Sequence, residues 1–121
     1  MNYESELTVE SKTEPGVVYR LARVSFGRRM ELTRRVREVW RKVEFLNAGT
    51  DPREKIEAAV LSAEVDRLYV LWALREVSGL TIDGQAATPE SLVESGPETL
   101  FREALSAVKA ECGLGEAEIK N

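Results

Sequence analysis

The sequence predicts a mainly α-helical chain with a small β element, an α+β fold. Three observations carry that expectation. Apolar side chains recur at helical spacing along two long segments, residues 26–47 and 52–78. Residues 5–24 instead alternate and are rich in β-branched and aromatic types around a Pro-Gly turn. Helix start and stop signals then punctuate the rest of the chain at short intervals.

The β element comes first. Leu7 and Val9 alternate with Thr8 and Glu10, the pattern of a half-buried strand. Glu14-Pro15-Gly16-Val17 suits a type II turn, with proline presetting φ at the second position and glycine accepting positive φ at the third. Residues 17–24, VVYRLARV, complete a hairpin with residues 5–12. An isolated hairpin is marginal in water, so this one needs a packing partner.

Ser25 is placed to cap the first long helix. Its stripe is Leu32, Val36, Val39, Val43 and Leu46, widened by Phe26, Met30 and Trp40, and Asn47-Ala48-Gly49 stops it. Asp51-Pro52-Arg53-Glu54 starts the second helix, with aspartate at the cap and proline at the first helical position. Ile56, Val60, Val65, Leu68 and Trp72 form its stripe, and Gly79 supplies the C-terminal stop. The short link between the two helices predicts an antiparallel helical hairpin carrying the β-hairpin. Residues 80–84 read as a short extended piece and a turn, a possible third strand. Thr88-Pro89 starts a helix over 88–94. Gly96-Pro97-Glu98 starts the last one, 97–112, with Pro97 at its first position. Residues 115–121 read as a frayed tail. The expected core is Leu32, Val36, Trp40, Val43, Val60, Val65, Leu68, Trp72, Phe101, Leu105 and Val108. Nothing divides the chain, so residues 1–121 are expected to form a single domain.

Composition narrows the chemistry. The 121 residues hold no histidine and one cysteine, Cys112. That excludes a Ser/His or Cys/His pair, an imidazole metal ligand and a CxxC site. Glu57, Glu64 and Asp66 share a helix, but the Glu-x-x-His partner of a carboxylate metal site is missing, so they read as solvated. Asp83-Gly84 lacks the rest of a calcium loop and reads as a turn. Cys112, on an apolar face at a helix C-terminus, reads as buried and structural, because that end of a helix disfavours thiolate. The expectation is a non-enzyme with no cofactor and no metal. The polar, acidic N-terminus does not read as a secretory signal, and the longest apolar run, residues 68–74, is far short of the ~20 that span a bilayer. A cytoplasmic location and no membrane partner follow.

The formal net charge of −4 conceals a division. Residues 1–19 carry −3, residues 20–42 carry +7 and residues 43–121 carry −8. Arg34, Arg37 and Arg41 fall on one helical face, with Lys42 beside them. Clustered arginine can neutralise phosphate, which makes a nucleic-acid-binding accessory role one reading. The acidic chain as a whole and the lack of Asn or Gln at base-contacting spacing favour a protein interaction surface instead. Candidate residues for that surface are Arg28, Arg34, Arg37, Arg41, Trp40 and Trp72, the tryptophans as anchors.

One resemblance adds to this. The helix ending in Gly-Leu-Thr-Ile-Asp-Gly at 79–84, the start Thr88-Pro89-Glu90-Ser91-Leu92, the start Gly96-Pro97-Glu98 and the ending at 113–121 resemble the small tail-module proteins of tailed phages and prophages, in particular the tail-assembly-chaperone type. The resemblance implies a non-enzymatic role in the bacterial cytosol. The chain would bind tail subunits, the tape-measure protein among them; independently, a small helical protein with an apolar groove would tend to self-associate as a homo-oligomer. No binding residue is implied by the resemblance.

Overall fold

The computed structural model describes residues 1–113. Its elements are β1 (Glu6–Glu10), β2 (Val18–Ala22), α1 (Phe26–Asn47), α2 (Pro52–Ala73), β3 (Leu74–Ser78), β4 (Thr81–Ile82), β5 (Gln85–Ala86), α3 (Pro89–Ser95) and α4 (Glu98–Glu111). The α+β expectation holds. The described residues fall into two compact units: a helical unit over 25–68, and a sheet unit built from 1–24 and the chain from Tyr69 onward.

In the sheet unit the hairpin forms as expected. β1 pairs antiparallel with β2, Leu7 opposite Leu21 and Val9 opposite Tyr19. Gly16 has φ 91°, and the Val17 N–H donates to the Glu14 carbonyl at 3.2 Å, as a type II turn requires.

The expected helix over 52–78 is corrected. It ends at Ala73, and the chain passes without a loop into β3, which pairs antiparallel with β2. The third strand of the β1-β2-β3 sheet is therefore Leu74–Ser78, not residues 80–84. An apolar run such as Leu68–Leu74 suits a buried strand and a buried helix equally, and the exposed edge of β2 settles it by offering a ladder. Arg75 is the extra residue where the β2–β3 register shifts: Arg20 faces Glu76 and Leu21 faces Leu74. Leu80–Gly84 contributes instead to a second, two-stranded sheet, β4-β5, closed by Asp83 and Gly84, both at positive φ.

Gly79 is thus not a helix stop. It lies at φ 78° between β3 and β4, where a Cβ would collide with the Gly16 carbonyl oxygen. Only glycine fits there.

Tyr19 and Leu21 are fully buried, with Val17, Val70, Leu74, Val77, Leu92, Leu100, Leu105 and Val108 completing the sheet unit's core. The outer face carries ions: Arg20 bridges Glu6 at 3.6 Å and Glu76 at 2.8 Å across the three strands. α3 packs on α4, β3 and β4. Thr88 caps α3 in a reciprocal box with Ser91. Pro97 is the N-cap of α4 rather than its first residue, and α3 and α4 begin and end within a residue or so of expectation. The expected tail at 115–121 lies outside the described residues.

In the helical unit Ser25 caps α1, its hydroxyl accepting the Arg28 N–H at 3.3 Å. The carboxylate of Asp51 accepts the Arg53 N–H at 2.9 Å at the start of α2. Between the helices lie only residues 48–51. Near that link both line one groove, which shows α2 running back beside α1. Leu32, Val36, Val43, Ala58 and Val65 are buried.

Four expected core residues differ. Val60 is half exposed at 50 %, while Trp40, Leu68 and Phe101 are only partly buried. At about 100° per residue, Ile56 and Val60 lie roughly opposite Val65 on α2, so one helix carries two apolar faces and only the Ala58–Val65 face is covered.

Candidate interaction surface

α1 presents an outer face that its buried face does not explain. Phe26, Met30, Arg34, Arg37, Arg41 and Phe45 recur at intervals of four and three. At about 100° per residue they share an arc of about 100°, centred some 200° round from the Leu32–Val36–Val43 stripe. All six are solvent-exposed, Phe26 at 79 % and Phe45 at 77 %. Met30 sits in a shallow depression between Arg29, Thr33, Arg34 and Arg37. Two phenylalanines this open on a stable helix are an unsatisfied apolar surface, since nothing on the chain's own helical unit covers them.

The arginines of this face lack the carboxylate partners that several other arginines of the chain have. Arg35 pairs with Glu31 at 2.9 Å, Arg20 with Glu6 and Glu76, and Arg102 with Glu98 at 3.6 Å. Among the described residues Arg34, Arg37, Arg41 and Lys42 make no ion pair. Their charge is left for solvent or a partner.

At the link end of the unit the outer face of α1 borders the groove. Arg41, Lys42, Phe45 and Leu46 line one wall, and Glu57 and Leu61 the other. Ile56 at 66 % exposure and Val60 continue the open apolar surface on α2.

Of the six candidates named from sequence, the structure brings Arg34, Arg37 and Arg41 together on one exposed face. Arg28 lies on the other side of α1, half-buried and engaged in an interaction of its own. Trp40 is half-buried. Trp72 is 9 % exposed in the sheet unit, a core residue and not a surface anchor. The open anchors are instead Phe26, Met30, Phe45, Ile56 and Val60. Their signal was present in the spacing: Phe26, Met30 and Phe45 fall off the arc of Leu32, Val36 and Val43, as Ile56 and Val60 fall off that of Ala58 and Val65.

A cluster of coupled polar groups lies in the sheet unit. Tyr19, from the central strand, donates its hydroxyl to Glu103 Oε1 at 2.8 Å and approaches the Leu100 carbonyl at 3.3 Å. Ser11 Oγ donates to the same carboxylate oxygen at 2.5 Å, and the Lys12 N–H to Oε2 at 2.9 Å. Burial first, then the adjoining Glu103 carboxylate, pushes the Tyr19 phenol well above its ordinary value. Burial works to raise Glu103, but the donors from Ser11, Tyr19 and the 12–13 backbone outweigh it and hold the carboxyl below its usual range. A phenol held protonated and a carboxylate held ionised have no proton to exchange near neutrality. The cluster ties α4 to the sheet and to the β1–β2 loop. Among the described residues no three histidines, cysteines or carboxylates come together to hold a metal ion, and no helix is long and apolar enough to cross a membrane.

Compared with protein-family models, with curated proteins and with solved structures, the chain matches none.

Proposed function

We propose that this chain is a non-enzymatic protein-binding module whose helical unit receives the partner. The observation that carries the reading is the outer face of α1. It sets three arginines without carboxylate partners among exposed Phe26, Met30 and Phe45. Aromatic and arginine side chains on an open surface are the composition of interface anchors. The sheet unit is the scaffold, fixed by the Tyr19–Glu103 tie and the Gly16–Gly79 approach. The resemblance to tail-assembly chaperones makes the partner a phage tail subunit, such as the tape-measure protein, met in the cytosol of a bacterial host.

Co-expression with the tail subunits encoded beside it tests this. The chain should co-purify with one of them and raise its soluble yield, and Phe45→Glu should abolish both while leaving the helical circular dichroism unchanged. No co-purification with any of them, or a Phe45→Glu chain that binds as the parent does, rejects the reading.

The same unpaired arginines favour a second reading, a nucleic-acid-binding accessory protein. If all three contact phosphates, affinity for duplex DNA falls with log salt at a slope of about −3. No binding at low salt disposes of it.

A further inference from the structure

We infer that the outer face of α1 in one copy docks on the outer face of α2 in a second copy, so that the chain self-associates through complementary helix faces.

The two faces are opposite in charge and alike in apolar content. On α1, Arg34 and Arg41 stand seven residues apart, about 10.5 Å along the axis, with Arg37 between them. On α2, Glu57 and Glu64 stand the same seven residues apart, with Val60 between them and Ile56 beside Glu57. Both glutamates are exposed, and neither makes an ion pair among the described residues. Glu57 borders the same groove as Arg41 and Lys42 of its own chain yet pairs with neither. Two unpaired cations and two unpaired anions at matched spacing meet when the faces meet, in either helix direction. Like faces cannot do this: α1 on α1 opposes arginine to arginine, which is costly.

The apolar residues supply the area. Met30 and Phe45 flank the arginines, and Ile56 and Val60 sit among the glutamates, all four at least half exposed. Ala63, exposed on the same side of α2, has too small a side chain to hold a second helix off. Arg67, further along α2, is already engaged and adds no free charge to the acidic face. Covering both faces removes the chain's most exposed aromatic side chains from water, the term that drives association, while the charges set which face meets which.

The inference rests on the reading of the helical unit as protein-binding, and its test reads only the association of the chain with itself. Two double variants of the full chain each disable one face. Arg34→Glu/Arg41→Glu reverses the α1 face, and Ile56→Ala/Val60→Ala strips the α2 face. All four positions are exposed, so circular dichroism should match the parent. Sedimentation equilibrium on the parent should show self-association that weakens with added salt. Each variant alone should dissociate with a constant at least about tenfold higher. An equimolar mixture of the two should associate again, because each contributes the face the other lacks. A parent that stays monomeric, a variant that associates as the parent does, or a mixture no stronger than its components would overturn the inference. A monomeric parent that still captures a tail subunit would overturn it while leaving the proposed function intact.

Discussion

Replacing Glu103 by glutamine removes the charge on which three donors converge. In the parent, Oε1 accepts from Ser11 Oγ at 2.5 Å and from Tyr19 OH at 2.8 Å, and Oε2 accepts from the Lys12 N–H at 2.9 Å. An amide has one acceptor oxygen. Turned toward Ser11 and Tyr19, it points its own N–H₂ at the Lys12 N–H and loses that bond. Turned the other way, it loses two. A hydrogen bond to a charged group contributes about 1.5–3 kcal/mol and a neutral one about 1 kcal/mol. One bond lost and two weakened amount to about 2.5 kcal/mol, the lower end applying because Glu103 is only partly buried. Urea unfolding should show the midpoint shift at unchanged slope. A Trp40→Phe background leaves Trp72 to report on the sheet unit. The pH dependence fixes the cause. A carboxyl whose pKa is lower folded than unfolded stabilises fully above the unfolded value, about 4.3, and loses that contribution as pH falls through the folded value. The gap between parent and Glu103→Gln should therefore be full at neutral pH and shrink steadily below about pH 4. A variant within about 0.5 kcal/mol of the parent at pH 7, or a gap that survives acidification, refutes the argument.

Three further outcomes follow from the same structure. Gly79→Ala, which meets both a positive φ and the Gly16 carbonyl, should cost about 3 kcal/mol or more in thermal or urea unfolding. On α2, Val60→Ala should change stability by no more than about 0.5 kcal/mol, whereas Val65→Ala, at a buried position, should cost about 2 kcal/mol; equal effects would contradict the assignment of faces. Thr88→Ala, which breaks the box with Ser91, should cost about 1 kcal/mol by the same assay.

Local signals carried much of the fold. Ser25, Asp51 and Thr88 act at helix starts as their side chains imply, and Pro15-Gly16 turns the hairpin where it should. Each of those outcomes is decided by atoms within a few residues. The helix-to-strand change at Ala73 is decided by β2, more than fifty residues earlier, and no window around residue 74 contains it. Val60 illustrates a second limit. Its spacing from Ile56 is helical, but periodicity identifies an apolar face without saying what covers it. The small Ala58, in line with Val65, marks the face that packs. The candidate surface was half legible for the same reason. The arginine spacing alone puts three arginines on one face, while Phe26 and Met30 read as a widening of the core stripe and Phe45 carries no signal of its own in that reading. Tyr19 and Glu103, 84 residues apart, meet only because α4 lies across the sheet.

The direct passage from α2 into β3 constrains how this chain can change in length. An insertion in a surface loop is taken up by the loop. Between Val70 and Val77 there is no loop to take it up, because Ala73 ends a helix and Leu74 begins a strand. One added residue either rotates the preceding helical turn by about 100°, carrying Val70 away from its packing, or slips β3 against β2 and turns Leu74 and Val77 toward water. Arg75 already uses the single irregularity that this ladder contains. The hairpin tip at Asp83-Gly84, with no side chain waiting against it, has no such lock. Relatives of this chain should differ in length at that tip and keep an invariant count of residues from α2 to β3.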